Sequence, residues 1–503
     1  MWLRDLIGVL DEKDEKQING NLDIQIENIA IDSRHVTDGS LFICIAGFAT
    51  DGHAYIHQAI KNGAVAVLID KAVSVPSGIV SIRVASTRLI MGKIASAFYG
   101  FPSKNLRMSG ITGTNGKTTT TYLIEAILKA AGYNVARLST TQYSIGKEQI
   151  HATHTTPDSI ELQQLLKKAV DYKCTHLVME VSSHALSLDR VDGCEFDTAV
   201  FTNLTVDHLD FHHTQEEYLR AKAKLFASLG EANDKGLPKL ALINTDSPFA
   251  EEIIKAVHPE CVLIRGYGIE KQTDIFAYNI ETTQDYTTFL YQGVKFKLNL
   301  LGRHNVYNTL VAIGVGESEG VELETISQAL ESVGGIPGRF ERIWCGQPFT
   351  VIVDYAHSPD ALQNVLQTCR QLSPKKIITV FGCGGDRDRS KRPQMGNISG
   401  GLSDETILTN DNPRTEAPDD ILGEIEAGIK QTNSQYQIIP DRREAIFHAI
   451  GSARKGDIVL IAGKGHEDYQ IVGDKTTHFD DREVARDGLN EVQGRNIRED
   501  KER

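Results

Sequence analysis

Three glycines, Gly110, Gly113 and Gly116, followed at once by Lys117, Thr118 and Thr119, constrain the chemistry of this 503-residue chain more than any other residues. A short apolar run (Leu106, Met108, Ile111) precedes them. Leu123, Ile124, Ile127, Leu128 and Ala131 follow at helical spacing until Gly132. Strand, glycine turn and helix N-terminus together make a phosphate cradle: backbone N–H groups and the helix dipole attract the anion, and no bulky side chain blocks its approach. Lys117 is placed to reach the outer phosphates and the Thr118 hydroxyl to ligate Mg²⁺. Gly110 lies six positions before Gly116, one more than the usual P-loop spacing. Residues Gly113, Thr114, Asn115, Gly116, Lys117, Thr118 and Thr119 therefore imply a bound nucleoside triphosphate.

Other chemically useful groups cluster where apolar runs end. The clusters are Glu180 to His184, Asn203 to His208, Asp354 to His357, Gly382 to Arg387, Asp411 to Arg414, and Gly463 to Glu467. Open α/β sheets bind ligands beyond the carboxyl ends of their strands, so six such clusters imply a site built between domains. Glu180 and His208 would complete a Mg²⁺ shell beside Thr118, although His208 also reads as a loop histidine bonded to Asp207. Arg339 could neutralise a transferring phosphoryl group, or form a structural ion pair with Asp354. Arg387 and Arg414 carry planar forks suited to a carboxylate, yet Asp411, Asn412, Pro413 and Arg414 also read as a turn ending in an exposed arginine. Physics alone makes Lys222, between Tyr218 and Phe226, a solvated helix lysine. The Asp32-Ser33-Arg34 and Asp51-to-Tyr55 segments are weaker candidates for a nucleotide-like or sugar-phosphate group.

The elements that must position these groups alternate between strand and helix. The expected class is α/β in three domains: a small N-terminal α/β unit (1–103), a central P-loop ATPase unit with a mostly parallel sheet (104–335), and a C-terminal Rossmann-like unit (336–503). Expected first-unit strands are 29–31, 41–45 and 64–69, with a helix over 54–62. Residues 101–105 read as a linker. Central strands are expected at 106–112, 176–180, 198–203, 240–244 and 262–267, followed by an antiparallel addition over 275–301 and a hinge at 334–338. Third-unit strands are expected at 350–354, 377–382, 405–409 and 457–462. The polar tail from Val492 to Arg503 reads as frayed.

Composition narrows the partners. The chain is 41% hydrophobic and 24% charged, ordinary for a globular protein, and no apolar run approaches the length of a membrane span. A net charge of -14 without a basic stripe argues against nucleic acid. Seven scattered cysteines without a Cys-x-x-Cys pair fit a reducing cytoplasm. Expected, then, are a cytoplasmic location, no membrane or nucleic-acid partner, and a monomer.

The order Gly-Thr-Asn-Gly-Lys-Thr, Glu-Val-Ser-Ser-His, Asn-Leu-Thr-x-Asp-His-Leu-Asp-x-His, Gly-x-x-Asn-x-x-Asn, Pro-Gly-Arg-x-Glu, Asp-Tyr-Ala-His-x-Pro and Gly-Lys-Gly-His-Glu resembles the Mur ligases. These are ATP-dependent amide-bond ligases that build the stem peptide of peptidoglycan. The family's P-loop starts Gly-x-x-Gly-Thr-Asn-Gly-Lys, which accounts for the unusual spacing. The resemblance implies ATP and Mg²⁺, with Asn305, Arg339 and Asp354 joining the P-loop at the nucleotide. It implies a UDP-linked muramoyl dipeptide contacted by Ser33, Thr155, Thr156, Ser182 and Arg190. Asp-Asn-Pro-Arg is the tetrad of members that add meso-diaminopimelate, which is lysine plus a distal carboxylate, so an extra cation suits it. Arg387, Asn412, Arg414, Gly463 and Glu467 would hold that amino acid, Glu467 taking an ammonium group. Lys222 matches a lysine that family members carbamylate into a Mg²⁺ ligand. Rival readings are a sister ligase adding L-lysine, a folylpolyglutamate synthase, and a nucleotide-driven P-loop switch protein.

Overall fold

The structure, a computed structural model, describes residues 1–501 apart from 12, 13, 15, 48, 49, 232–234, 236 and 237. Three α/β domains follow one another along the chain. The first holds a five-stranded sheet in the order Gln17–Asn19, Val80–Arg83, Ala64–Ile69, Ser40–Ile43, Asn28–Ala30, parallel except for the first strand. The expected helix over 54–62 divides into a 3-10 turn, Gly52–Tyr55, and a helix, Ile56–Lys61. The Asp51 side chain caps the turn, accepting from the His53 backbone N–H.

The central sheet runs Ile275–Phe276, Val262–Gly268, Lys239–Asn244, Thr198–Phe201, Arg107–Thr112, His176–Glu180, Val135–Leu138, Tyr143–Ile145, Glu148–Ile150. Its first seven strands are parallel and the last two form an antiparallel edge. Parallel strands covered on both faces read as continuous apolar runs, which makes five of the seven legible; Val135–Leu138 escapes, and Ile275–Phe276 pairs in parallel rather than joining the antiparallel addition expected from 275. Successive residues nonetheless serve opposite cores. Ile111, Val178, Val200 and Leu242 pack with the helices Lys117–Ala130 and Arg303–Ser318, whereas Met108, Leu177, Phe201 and Ile243 pack with Ser159–Asp171 and Gln215–Glu231. The expected antiparallel addition is a three-stranded sheet, Tyr278–Thr282, Thr287–Tyr291 and Val294–Leu298, closing the first of these cores.

The third sheet is ordered Glu341–Ile343, Thr350–Asp354, Ile458–Ala462, Ile377–Phe381, Glu405–Leu408, Gln435–Ile438, parallel except for its first strand. A hairpin, Tyr469–Val472 with Lys475–His478, stands beside it. Two expectations need correction. Residues 101–105 are not a loose linker: Pro102–Asn105 is a 3-10 turn with Pro102 and Ser103 buried. The polar tail continues as the helix Asp481–Lys501, and only its last two residues lie outside the described chain.

The topology places the site. From Arg107–Thr112 the chain crosses to Val135–Leu138 and His176–Glu180 on one side, then to Thr198–Phe201 on the other. The P-loop thus opens where the winding reverses, the position at which open α/β sheets hold ligands.

Candidate active site

The loop 113–116 is shaped by glycine and fastened by the neighbouring strand end. Gly116 has φ +89, and a Cβ added there would lie 2.3 Å from Asn308 Oδ1, so neither the backbone nor the space admits another residue. Thr114 N–H donates to Asn203 O (2.9 Å) and Asn115 N–H to Asn203 Oδ1 (2.9 Å). Lys117 Nζ folds back onto Gly113 O (2.9 Å) and Thr114 O (2.8 Å). Burial pushes its ammonium pKa down, with Glu180 opposing the shift.

Thr118 sits between two domains. Its hydroxyl donates to Glu180 Oε1 (2.8 Å) and accepts from Arg339 Nη2 (3.0 Å). Arg339 also lies over the Tyr355 ring, 4.5 Å from its centroid. The expected alternative, a direct Arg339–Asp354 ion pair, is not formed: Asp354 instead accepts from the backbone N–H groups of Phe340 (2.6 Å) and Ala356 (2.8 Å). Burial raises the Asp354 carboxyl pKa, and Arg339 opposes this.

On the far side of the P-loop, Glu180 also accepts from Thr140 N–H (2.8 Å), and the Thr140 hydroxyl bonds Thr155 (3.1 Å). Thr156 Oγ1 donates to Glu180 O (2.9 Å) and accepts from Ser182 N–H (3.0 Å), while Arg190 Nη1 donates to Thr156 O (3.1 Å). His208 adopts a left-handed backbone (φ 55) with its N–H on Asp207 Oδ1 (2.9 Å). Burial lowers its pKa to about 3 against the pull of Asp207, so the imidazole is neutral at ordinary pH.

Lys222 corrects the physics-only reading. It is 1% exposed, not solvated, with Nζ 4.2 Å from the centroid of the Tyr218 ring, whose hydroxyl lies 3.1 Å from Thr114 Oγ1. Burial, then the charge of Lys117, drives its pKa well below the ordinary lysine value.

Two cavities meet at this loop. One, of about 490 Å³, is lined by Asn115, Gly116, Thr119, Asn305, Arg339 and Asp354, among others. The second, of about 320 Å³, is lined by Thr114, Lys117, Thr118, Thr155, Thr156, Glu180, Ser182, Arg190 and His208, and shares Asn115, Gly116, Thr119, Arg339, Tyr355 and His357 with the first. Ser33 lines neither cavity; it is buried in the first domain beside Asn62, which donates to its carbonyl.

The third-domain group lies one ring further on. Tyr355 packs against His466 (centroids 5.0 Å apart), the neighbour of Glu467. Glu467 Oε2 accepts from Asn412 Nδ2 (3.0 Å) and from the buried Lys464 Nζ (3.2 Å). Burial, with Asp411 adding to it, raises the Glu467 pKa. Gly463 has φ +114 and its missing Cβ leaves room for Asp411 Oδ2. Pro413 is buried, Arg414 Nη1 donates to Gly385 O (2.7 Å), and Arg387 is exposed with Nη1 on Asp386 O (3.0 Å).

Several site residues escaped the sequence reading. Thr140 follows the strand Val135–Leu138, which was not recognised. Asp246 closes the end of Lys239–Asn244 and accepts from three successive backbone N–H groups (269–271) and from Tyr307. A strand-end acid was the available signal. Asp360, at the start of the helix Pro359–Gln371, accepts from Asn115 Nδ2 (2.8 Å) and Thr205 Oγ1 (3.4 Å), tying the third domain to the P-loop. Hydrogen bonds to charged groups contribute about 1.5–3 kcal/mol. Asp360→Ala is accordingly expected to raise the KM for ATP about tenfold, measured by steady-state kinetics.

For Mg²⁺, Thr118 Oγ1 and Glu180 Oε1 offer hard oxygens 2.8 Å apart. Among the described residues no group of three or more His, Cys, Asp or Glu side chains could hold a metal. Two protein oxygens suit an ion that keeps waters and takes phosphate oxygens, so the donor set fits Mg²⁺.

The chain matches the Mur ligase family, catalytic domain, over residues 25–99; the Mur ligase middle domain over 111–316; and the Mur ligase, glutamate ligase domain over 338–465. A relative from Syntrophomonas wolfei is 48% identical over 472 residues, covering 93% of this chain and 95% of its own, and one from Alkaliphilus metalliredigens is 48% identical over 490 residues, covering 96% and 97%. Both are named UDP-N-acetylmuramoyl-L-alanyl-D-glutamate--2,6-diaminopimelate ligase. A solved structure of a ligase with that name aligns at a TM-score of 0.67 and 32% identity over 98% of this chain and 99% of that one. Among the described residues no helix is long and apolar enough to cross a membrane.

Proposed function

The chain belongs to the Mur ligase family, and from that premise we propose that it joins meso-2,6-diaminopimelate to the D-glutamyl γ-carboxylate of UDP-N-acetylmuramoyl-L-alanyl-D-glutamate, consuming ATP, in peptidoglycan synthesis. The observation that carries this reading is Thr118, whose hydroxyl joins the P-loop to Glu180 and to an arginine of the third domain. A phosphoryl donor in the larger cavity and an acceptor carboxylate in the smaller one would meet there.

ATP is a substrate. Its terminal phosphoryl group passes to the γ-carboxylate, giving an acyl phosphate and ADP. The neutral amine of diaminopimelate attacks the acyl carbon, a tetrahedral intermediate forms, the C–O bond breaks with its electron pair going to the departing phosphate, and the nitrogen's proton passes to that phosphate. Lys117 exchanges its two loop carbonyls for phosphate oxygens, and Arg339 spreads the charge of the transferring group. Mg²⁺, held by Thr118, Glu180 and a carbamylated Lys222, with His208 beside them, would add further charge neutralisation. Thr155, Thr156, Ser182 and Arg190 orient the acceptor in the smaller cavity. Ser33 would reach only the distant UDP end, from the first domain. Gly463, Asp411, Asn412, Pro413, Arg414, Arg387 and Glu467 take the amino acid.

An acyl phosphate hydrolyses readily, so water must be kept out. Domain boundaries near 103 and 335 would let the third domain close. Within the hinge proposed at 334–338, Gly334 and Gly335 have open space around them, whereas a Cβ on Gly338 would strike His466 N at 2.1 Å, which favours the first two glycines as the turning point. The enzyme is further proposed to work as a cytoplasmic monomer.

The test is product mass. ATP, the UDP-linked acceptor and meso-diaminopimelate together should give the UDP-tripeptide, ADP and phosphate, with L-lysine a poor replacement. ADP release without any diamino acid would count against the scheme, and equal use of L-lysine would favour the sister ligase.

A further inference from the structure

The two arginines offered to the distal carboxylate, Arg387 and Arg414, stand on separate loops. Their spacing is what a bidentate site must control. A Cβ on Gly384 would lie 2.9 Å from Arg414 Nη1 and 3.8 Å from Arg387 Cγ, so the two side chains pass close to the same glycine. Arg414 adopts φ 54, a left-handed conformation that a non-glycine residue keeps only when its surroundings impose it.

Two devices impose it. The hairpin grips the backbone: Arg414 N–H donates to Ile471 O (3.2 Å), and Gly473 N–H donates to Arg414 O (2.7 Å). On the other side stands Arg392, whose side chain is wholly buried on the helix Lys391–Leu402. Its guanidinium donates to Glu416 Oε1 (2.8 Å) and Oε2 (2.9 Å), to Glu424 Oε2 (2.9 Å) and to Gly384 O (3.2 Å). Glu416 Oε1 also accepts from Asp386 N–H (2.5 Å), and the Thr415 hydroxyl donates to Asp386 Oδ1 (2.7 Å). Arg392 and Glu416 therefore bolt the 384–387 loop to the 412–416 loop, with each arginine one to three residues from a bolt.

We propose that Arg392 and Glu416 are a positioning pair that fixes the separation of Arg387 and Arg414, and so set the preference for a diamino acid with a distal carboxylate over one without it. The proposal rests on the functional reading above. A fork-shaped donor tolerates little displacement, because a shift of one loop converts a two-point contact with the carboxylate into a single one. Neither residue faces the two cavities at the P-loop, so ATP should not sense the change.

The experiment compares wild type, Glu416→Ala, Glu416→Gln and Arg392→Lys with meso-diaminopimelate and L-lysine in turn, reading KM and kcat for each and KM for ATP. Glu416→Ala should raise the KM for meso-diaminopimelate about tenfold or more, the scale seen when residues supporting a ligand set are removed. Its kcat at saturation, KM for ATP and weak use of L-lysine should stay as in wild type, so discrimination falls. Glu416→Gln, which keeps the acceptor for Asp386 N–H, should recover part of the loss. Unchanged discrimination in Glu416→Ala overturns the proposal, as does an equal loss with both amino acids. If Arg392→Lys fails to fold, the Glu416 variants decide alone. A wild-type enzyme that makes no product with meso-diaminopimelate would overturn the functional reading itself, a result distinct from the others.

Discussion

Arg414→Ala is expected to raise the KM for meso-diaminopimelate by about 30- to 1,000-fold, the roughly 2–4 kcal/mol lost when one member of a desolvated charge pair is removed. ATP affinity should survive, because Arg414 lines neither P-loop cavity. Among the described residues one guanidinium nitrogen is engaged, Nη1 on Gly385 O, which leaves the rest of the fork for a carboxylate. Arg414→Lys keeps the charge but not the fork and should fall between the two. L-Lysine, lacking the distal carboxylate, should be used no worse by either variant. Steady-state kinetics with each amino acid, and calorimetric ATP binding, check this. A variant with an ordinary KM for meso-diaminopimelate removes Arg414 from the site, and a simultaneous loss of ATP affinity would mark a folding defect.

Lys222→Ala should lower kcat about 100- to 1,000-fold, the usual cost of deleting a group that stabilises transition-state charge. Carbamylation joins the amine nitrogen to the carbon of CO2 and releases a proton, so it needs the neutral amine. The sign follows from burial. A pKa driven well below that of an ordinary lysine makes the neutral amine available at correspondingly lower pH. As pH falls through that lowered pKa the amine protonates, the carbamate is lost, and activity should fall with it. Lys222→Arg should be as inactive as Lys222→Ala, since a guanidinium cannot become a carboxylate. Intact-protein mass under bicarbonate should show the increment of one CO2 in wild type and in neither variant. Full turnover by Lys222→Ala would strike this residue from the site. Stability should change little in the Lys222→Ala variant, because relief from burying an amine that, among the described residues, is held over the Tyr218 ring offsets the cavity left by its stem.

Much of this was legible in the chain, and the reasons are local. Val178 and Val200 belong to strands buried on both faces, and such strands need uninterrupted apolar runs. Gly116 needs a positive φ that few other residues adopt, and Lys117 must follow it to reach phosphate. The order of motifs from Asp32 to Glu467 was enough to point to the family and the fold class. What escaped was decided by partners distant in sequence. Lys222 reads as a surface lysine by its residue type, although helical spacing sets it on the same face as Tyr218, Leu225 and Phe226; its burial comes from packing that face against the central sheet. Asp354 and Arg339 look like an ion pair in sequence, but backbone N–H groups claim the acid and Thr118, 221 positions away, claims the base. Short-range steric and hydrogen-bonding rules wrote the strands, the glycine loop and the caps into the sequence. Desolvation and charge pairing depend on which domains touch, so the lowered basicity of the amine at 222, the reach of Arg339 and the spacing of two arginines belong to the tertiary structure.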